Sequence, residues 1–312
     1  MVRTNTVVGP GSDAAVLRIR KTKKALAITT DCNGRYCYLN PRQGAKQAVS
    51  EAGRNIICSG GRPVAITNCL NFGNPYKSKI YYGFSEAVAG MGEACRMFET
   101  PVTGGNVSFY NEDPDRAVFP TPTIGMLGVV EDTKDITTQW FKESGDLIYL
   151  MGETKEELGA SEYIYSIFNK TSGPVPEIDL SFEKQVQDTV LEAIKAGYIK
   201  SAHDCSDGGL AVALAECCIS NRERMIGASI NLDEDIRTDC LLFGETQSRI
   251  IVTTKKENGV KLVDLCAKNN IPVSAIGIAG GEMFSINNLI NLSLPDLSEA
   301  YYESLPKILL KA

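Results

Sequence analysis

Four glycine-and-carboxylate strings constrain this chain more than any other feature in it. They read Gly9-Pro10-Gly11-Ser12-Asp13-Ala14-Ala15-Val16, Thr29-Thr30-Asp31-Cys32-Asn33, Thr103-Gly104-Gly105-Asn106-Val107-Ser108 and His203-Asp204-Cys205-Ser206-Asp207-Gly208-Gly209-Leu210. Glycine lets a backbone come close to a phosphate, and nearby Asp and Asn oxygens suit the magnesium that travels with it. One such string is weak evidence; several in one chain point to a nucleotide enzyme. None is a Walker loop, because no Gly-Lys-Ser/Thr follows the glycines.

The chain has 312 residues, room for two domains of roughly 100–200 residues each. With 43% hydrophobic residues it can bury a sizeable core, which argues against disorder. A net charge of −6 without a basic stripe argues against nucleic acid as a general partner. Phosphate ligands stay open, since magnesium and backbone amides bind them without a basic surface. Ten cysteines form no Cys-x-x-Cys pair and there is one histidine, so zinc is disfavoured. The cysteines read as reduced, packed thiols and the protein as cytoplasmic. No apolar run reaches the ~18 residues of a membrane span, and the N-terminus lacks a secretory pattern.

Apolar periodicity predicts strands at 25–31, 63–70, near 101–109 and at 122–130. Between them, Ala45, Ala48, Val49, Ala52 and Ile56 mark one helix, and Phe84, Val88, Met91, Cys95 and Phe98 a second. Strand and helix alternate, so this part is α/β or α+β. Residues 132–145 are polar and aperiodic and read as a link, giving domains at 1–135 and 145–312. The second domain is predicted to hold strands at 146–151, 249–254 and 272–279. Its helices are predicted at 183–197, after Gly209, at 256–268 and from Asp296 to Leu310.

Each constellation has a functional and a plain reading. Asp31 ends a predicted strand, where α/β folds tend to place ligands. Glu51 and Asn55, four apart on a helix, project oxygens from one face. With Asp204 from the other domain they make an all-oxygen magnesium site, or else Glu51 and Asn55 are a solvated face. Ser206-Asp207-Gly208-Gly209 offers amides to a phosphate or, more simply, a Ser or Asp helix cap. Asn106 and Ser108 alternate on an extended segment and share a face, whereas the glycines before them read equally as a β-bulge. Gly9–Val16 is a phosphate loop or a turn entering a strand at 16–19. His203 is a candidate acid/base group, but no nucleophile adjoins it in sequence and the structural reading is the stronger.

In this order, the four strings resemble the carboxyl-terminal half of the phosphoribosylformylglycinamidine synthase family, in its form with a separate glutaminase subunit. Further matching stretches are Asp31-Cys-Asn-Gly-Arg-Tyr36, Cys69-Leu-Asn-Phe-Gly-Asn-Pro75, Gly105-Asn-Val-Ser-Phe-Tyr-Asn-Glu112, Pro120-Thr-Pro-Thr-Ile-Gly-Met126, Leu158-Gly-Ala-Ser-Glu-Tyr163 and Phe243-Gly-Glu-Thr-Gln-Ser-Arg249. Together they run from about Gly9 to the C-terminal helix. The wider superfamily includes aminoimidazole ribonucleotide synthetase, selenophosphate synthetase and thiamine-monophosphate kinase.

The resemblance implies an aminoimidazole ribonucleotide synthetase-like two-domain α+β fold. A ferredoxin-like domain that joins a barrel-like interface precedes an α/β domain. It implies ATP and Mg2+ as cofactors, and ATP-dependent amidine formation from formylglycinamide ribonucleotide and glutamine-derived ammonia. By position, Asn68 and Gly105 correspond to ATP contacts, Asn106 to a magnesium ligand and Ser108 to a contact with the ribonucleotide. Asn68 stands where the family has an aspartate, and Gly104 where it has a serine. Asp31, Glu51, Asn55 and Asp204 correspond to the metal site of a second, structural nucleotide. The family's catalytic histidine lies in its amino-terminal half, so no catalytic residue is expected here. The implied partners are that amino-terminal half, the glutaminase subunit and a small bridging subunit; alone, the chain is expected to be inactive and to form a homodimer. The alternatives are a nucleotide-binding structural half without activity, or another superfamily member such as a thiamine-monophosphate kinase. Against the last stand Asp-Cys-Asn-x-Arg-Tyr and Gly-Asn-Val-Ser-x-Tyr-Asn-Glu.

Overall fold

The structure, a computed structural model, describes residues 2–310. Its first lobe is a six-stranded sheet of β1 (Thr6–Val8), β2 (Ala15–Arg18), β3 (Ala25–Asp31), β4 (Arg62–Asn71), β5 (Val102–Ser108) and β6 (Thr121–Val130), ordered β1-β2-β3-β6-β4-β5. All pairs are antiparallel except β4–β5. Strand alternation decides which face is covered. Ala25, Ala27, Ile66, Leu70, Ile124 and Met126 turn inward to α2 (Pro41–Cys58) and α3 (Ser78–Phe98), while Tyr36 of α1 (Gly34–Leu39) packs with Ala160 and Val175. The opposite face carries Leu26, Ile28, Thr67, Cys69 and Leu127, with no helix over it.

Asn40 starts α2 by accepting the Gln43 N–H, and Pro41 at the first helical position is pre-set for the helix. The predicted inward face of α2 is buried throughout, Ala45 to Ile56. In α3, Val88 is exposed and Ala87 takes its inward place. The helices meet at Gly90, where an added Cβ would lie 2.2 Å from the Arg42 carbonyl oxygen.

The second lobe holds β7 (Leu147–Met151), β8 (Ser201–Asp204), β9 (Ala228–Ile230), β10 (Ile250–Thr254), β11 (Val273–Ala279), β12 (Met283–Ile286) and β13 (Ile290–Ser293), ordered β13-β12-β9-β11-β7-β10-β8. Both faces are covered. Ile250 and Val252 pack under α5 (Leu180–Lys195) and α8 (Gly259–Lys268). Ile251 packs under α6 (Gly209–Ile219), α7 (Thr238–Phe243) and α9 (Leu294–Tyr302). Burial on both sides explains why β10 opens with the consecutive apolar residues Ile250, Ile251 and Val252 instead of an alternating pattern. Short helices α4 (Glu162–Phe168) and α10 (Ser304–Leu309) complete the fold. Among the described residues no helix is long and apolar enough to cross a membrane.

Apolar packing and the connecting segment both join the lobes. Ile57 and Cys58, at the end of α2, belong to the same core cluster as α5 and α8. The connecting segment, polar in sequence, is itself anchored: Phe141 is 2% exposed within the second core, and Thr137, Thr138 and Gln139 are buried. We expect Gly90→Ala to destabilise the chain by about 1–3 kcal/mol, because the clash is with backbone rather than a movable side chain. Urea unfolding checks this; an unchanged midpoint would contradict the close packing of α2 on α3.

Candidate functional site

Asp31 leaves β3 on the helix-covered face, opposite Glu51 and Asn55 on α2, and the Asn55 amide donates to its Oδ2 at 3.3 Å. Asp204 enters from the end of β8. What draws the lobes together there is Arg54, fully buried. Its Nε donates to Asp204 Oδ1 at 2.5 Å, Nη1 to Glu183 Oε2 at 3.0 Å and Nη2 to Gln247 Oε1 at 3.1 Å. One α2 side chain thus holds β8, α5 and the loop before β10 of the other lobe. Sequence reasoning passed over Arg54; the available signal was an arginine three positions after Glu51 on an otherwise small, apolar helix face.

The seam is rich in carboxylate. Burial pushes Asp31 and Glu51 well above the ordinary carboxylate range, and their negative neighbours, Asp204 included, add to it. Burial also raises Asp204 to about 6, against the pull of Arg54. Asp204 Oδ2 is buried without a hydrogen-bond partner. Such oxygens suit a hard cation. Among the described residues, however, no three His, Cys, Asp or Glu side chains converge in metal-holding geometry.

The Asp31–Tyr36 string lines the same seam. Asn33 donates to Asp207 at 2.9 Å, and the Arg35 guanidinium reaches Glu162 at 2.6 Å. The Tyr36 hydroxyl donates to Glu245. Glu245 also accepts the Gly208 and Glu162 amides, each at 2.8 Å. Burial and Asp207 raise this carboxyl to about 7, although Tyr36 and the two amides favour its charge. Neither reading of the Ser206–Gly209 string is observed as written. The cap of α6 is Gly208 in the left-handed conformation with no side-chain cap bond, and the Gly208 amide is taken by Glu245.

His203 is structural here. Its Nδ1 meets Asp13 Oδ1 at 2.8 Å and its Nε2 meets Glu216 Oε2 at 3.0 Å. Burial disfavours the imidazolium, but Asp13 and Glu216 outweigh it and hold the pKa well above the ordinary value. The Gly9–Val16 turn therefore supplies a clamp, since Asp13 Oδ1 also accepts the Asp204 amide at 3.1 Å.

The β5 string lies elsewhere. Register pairs Asn68 with Gly105, Cys69 with Asn106 and Asn71 with Ser108, with a bulge just before, at Val102–Gly104. Asn106 and Ser108 thus share the uncovered face of the first sheet. Asn68 points the other way, towards α3, with Nδ2 3.3 Å from Met91 Sδ. At Gly105 an added Cβ would fall 2.1 Å from Asn68 Oδ1, so glycine is what lets the strands approach. Ser108 Oγ is held by Asn111. The seam carboxylates and the Asn106–Ser108 pair therefore sit on opposite faces of one sheet.

Comparison with known proteins matches residues 11–130 to the AIR synthase related protein N-terminal domain and residues 143–284 to the C-terminal domain of the same family. Phosphoribosylformylglycinamidine synthase subunit PurL of Alkaliphilus metalliredigens is 49% identical over 96% of the chain, and that of Moorella thermoacetica 47% over 99%. The chain spans only 41% and 42% of those relatives' lengths. Among solved structures, T. maritima PurL complexed with FGAR superposes with a TM-score of 0.73 at 18% identity, over 94% of this chain and 47% of that one. AaThiL complexed with AMPPCP and TMP gives 0.62 at 17% identity over 91% of both. At these identities the structural matches establish the fold.

Because the chain has one histidine, proton NMR reads His203 without assignment. We expect its resonance to titrate well above pH 6.5, and Asp13→Asn to bring the midpoint down by roughly one unit or more. The sign follows from the raised folded-state value: the contribution to stability is complete below about pH 6.5 and is lost as pH rises through the folded pKa. Titration near 6.5 in the native chain would contradict the clamp.

Proposed function

For this chain, which belongs to the AIR synthase related protein family, we propose a role as the carboxyl-terminal half of a phosphoribosylformylglycinamidine synthase. The observation that carries the reading is near-half identity, along almost the whole chain, to two relatives bearing that name. In the complete enzyme ATP phosphorylates the amide oxygen of formylglycinamide ribonucleotide. Ammonia then forms the new C–N bond as the C–O bond to phosphate breaks. Phosphorylation turns a poor leaving oxygen into a good one.

In this reading Gly105 brings bare backbone up to the nucleotide, and Asn106 presents its side-chain oxygen to the phosphates and their ion. The Ser108 hydroxyl, steadied by Asn111, contacts the ribonucleotide. Asn68 acts on the ATP site from behind, by keeping β4 close against the glycine. A magnesium ion, when bound, neutralises charge on the transferring phosphoryl group. The uncovered sheet face, with Leu26, Ile28 and Leu127, is where the amino-terminal half docks and brings the catalytic base. The glutaminase and a small bridging subunit complete the cytoplasmic assembly.

Asp31, Glu51, Asn55 and Asp204 are the metal end of a second, structural nucleotide site. The donor chemistry fits: all offer hard oxygens, burial first and neighbouring negative charge second raise the Asp31 and Glu51 carboxyls, and Asp204 Oδ2 lacks a partner. The structural likeness to AaThiL is a likeness of fold and does not favour a kinase.

One reconstitution tests the reading. The chain alone should form no amidine from ATP, ammonia and formylglycinamide ribonucleotide, and should sediment as a dimer through its open sheet face. Adding the amino-terminal half should give a hetero-complex with turnover, and Asn106→Ala should lower that turnover by about 10–100-fold. Robust turnover by the chain alone, or a stable hetero-complex without amidine formation, would contradict it.

A further inference from the structure

Between α1, the first turns of α3 and the segment before β6 lies a cavity of about 410 Å³, a size in the range of small-molecule sites. None of its lining residues takes part in the chemistry above. Its walls include Tyr38, Phe72, Ile80 and Tyr82. Two of these rings are braced. Phe72 is buried and packs edge-on against Phe84, with centroids 5.4 Å apart, and Tyr38 packs on Phe119 at 5.1 Å. Two cations, Lys79 and Arg116, also line the cavity, and among the described residues neither side chain meets a carboxylate. Lys79 Nζ lies over the Tyr38 ring, 5.0 Å from its centroid. Of the acids in the adjoining segment, Glu112 accepts from Lys77 and from the Asn74 amide, each at 3.0 Å, and Asp113 takes the Arg116 backbone amide at 2.7 Å.

Gly83 shows independently that this space is kept open. It sits inside the 21-residue α3, where glycine is less favourable than alanine. At Gly90 of the same helix the missing Cβ is accounted for by the Arg42 carbonyl, 2.2 Å from where it would lie. Gly83 is buried and lines the cavity, yet an added Cβ there would meet nothing within 4 Å. Packing does not require this glycine; what its missing side chain leaves is room.

From these features we propose that the cavity binds a small organic anion carrying a flat apolar ring. The ring lies among Tyr38, Phe72 and Tyr82, and the charged group faces Lys79 and Arg116. Either half alone discriminates little: aromatic walls take many apolar bodies, and an exposed cation meets an anion weakly. Together they select. A neutral ring gains nothing from the two charges, and a ring carrying a cation is repelled by them. A bare anion such as phosphate finds two solvated charges and leaves the apolar walls uncovered.

Calorimetry on the whole chain with three molecules built on one ring tests this: indole-3-acetate, indole and tryptamine. None carries a phosphate, so the result is separate from the nucleotide sites proposed above. Indole-3-acetate should bind at least about tenfold more tightly than the other two, and inorganic phosphate at equal concentration should not displace it. Lys79→Glu combined with Arg116→Glu, both at exposed positions, should remove the preference, whereas Asn106→Ala should leave it. Gly83→Leu, which fills the cavity, should abolish binding without lowering the urea midpoint. Should that variant not fold, the ligand series and the double charge reversal decide. No binding of indole-3-acetate at millimolar concentration, equal binding of all three molecules, or binding that survives either the double reversal or a folded Gly83→Leu chain would overturn the proposal.

Discussion

The arrangement rests on one buried guanidinium. Arg54 lies on a helix that covers the first sheet, yet its hydrogen bonds go to Asp204, Glu183 and Gln247 of the second lobe. Taking such a charge out of water is costly, and only complete pairing compensates for it. Every Arg54 nitrogen has an oxygen partner, and the partners come from β8, α5 and the loop before β10. The two lobes are thereby held in one relative placement, with Ile57 and Cys58 adding apolar contact from the same helix. Loss of the guanidinium would strand buried carboxylates, which is more damaging than never having built the pair.

The clustering of acids follows from that placement. Burial raises Asp31, Glu51 and Asp204, negative neighbours add to it, and one Asp204 oxygen is left without a partner. Elsewhere along the seam the same electrostatic problem is solved internally: Asp13 is offset by His203, and Glu245 is satisfied by a tyrosine hydroxyl and two amides. Asp13 Oδ2, like Asp204 Oδ2, is nevertheless buried without a partner.

Much of the scaffold was legible because burial there is one-sided or complete. β3, β4 and β6, the long α2 and α5, and the apolar β10 all carry the period that their environment demands. Short elements such as β9, β12 and β13 have too few residues to show a period, and β8 was hidden inside a string read for its chemistry. Grouping Asp31, Glu51, Asn55 and Asp204 was possible from family resemblance, but their relation through Arg54 was not, since a single arginine among alanines looks like a surface residue. The His203 partner lies 190 residues away in the Gly9–Val16 turn, beyond any local pattern. The Gly208 cap was misread because Glu245, not the adjacent Ser206 or Asp207, satisfies the helix amide. Likewise strand pairing, which no linear motif reveals, sets Asn68 on the opposite sheet face from Asn106 and Ser108.

Differential scanning calorimetry most directly tests whether Arg54 and α2 weld the lobes into one cooperative structure. The account predicts a single transition whose calorimetric and van't Hoff enthalpies agree. Two resolved transitions in the native chain, one for each sheet, would contradict it.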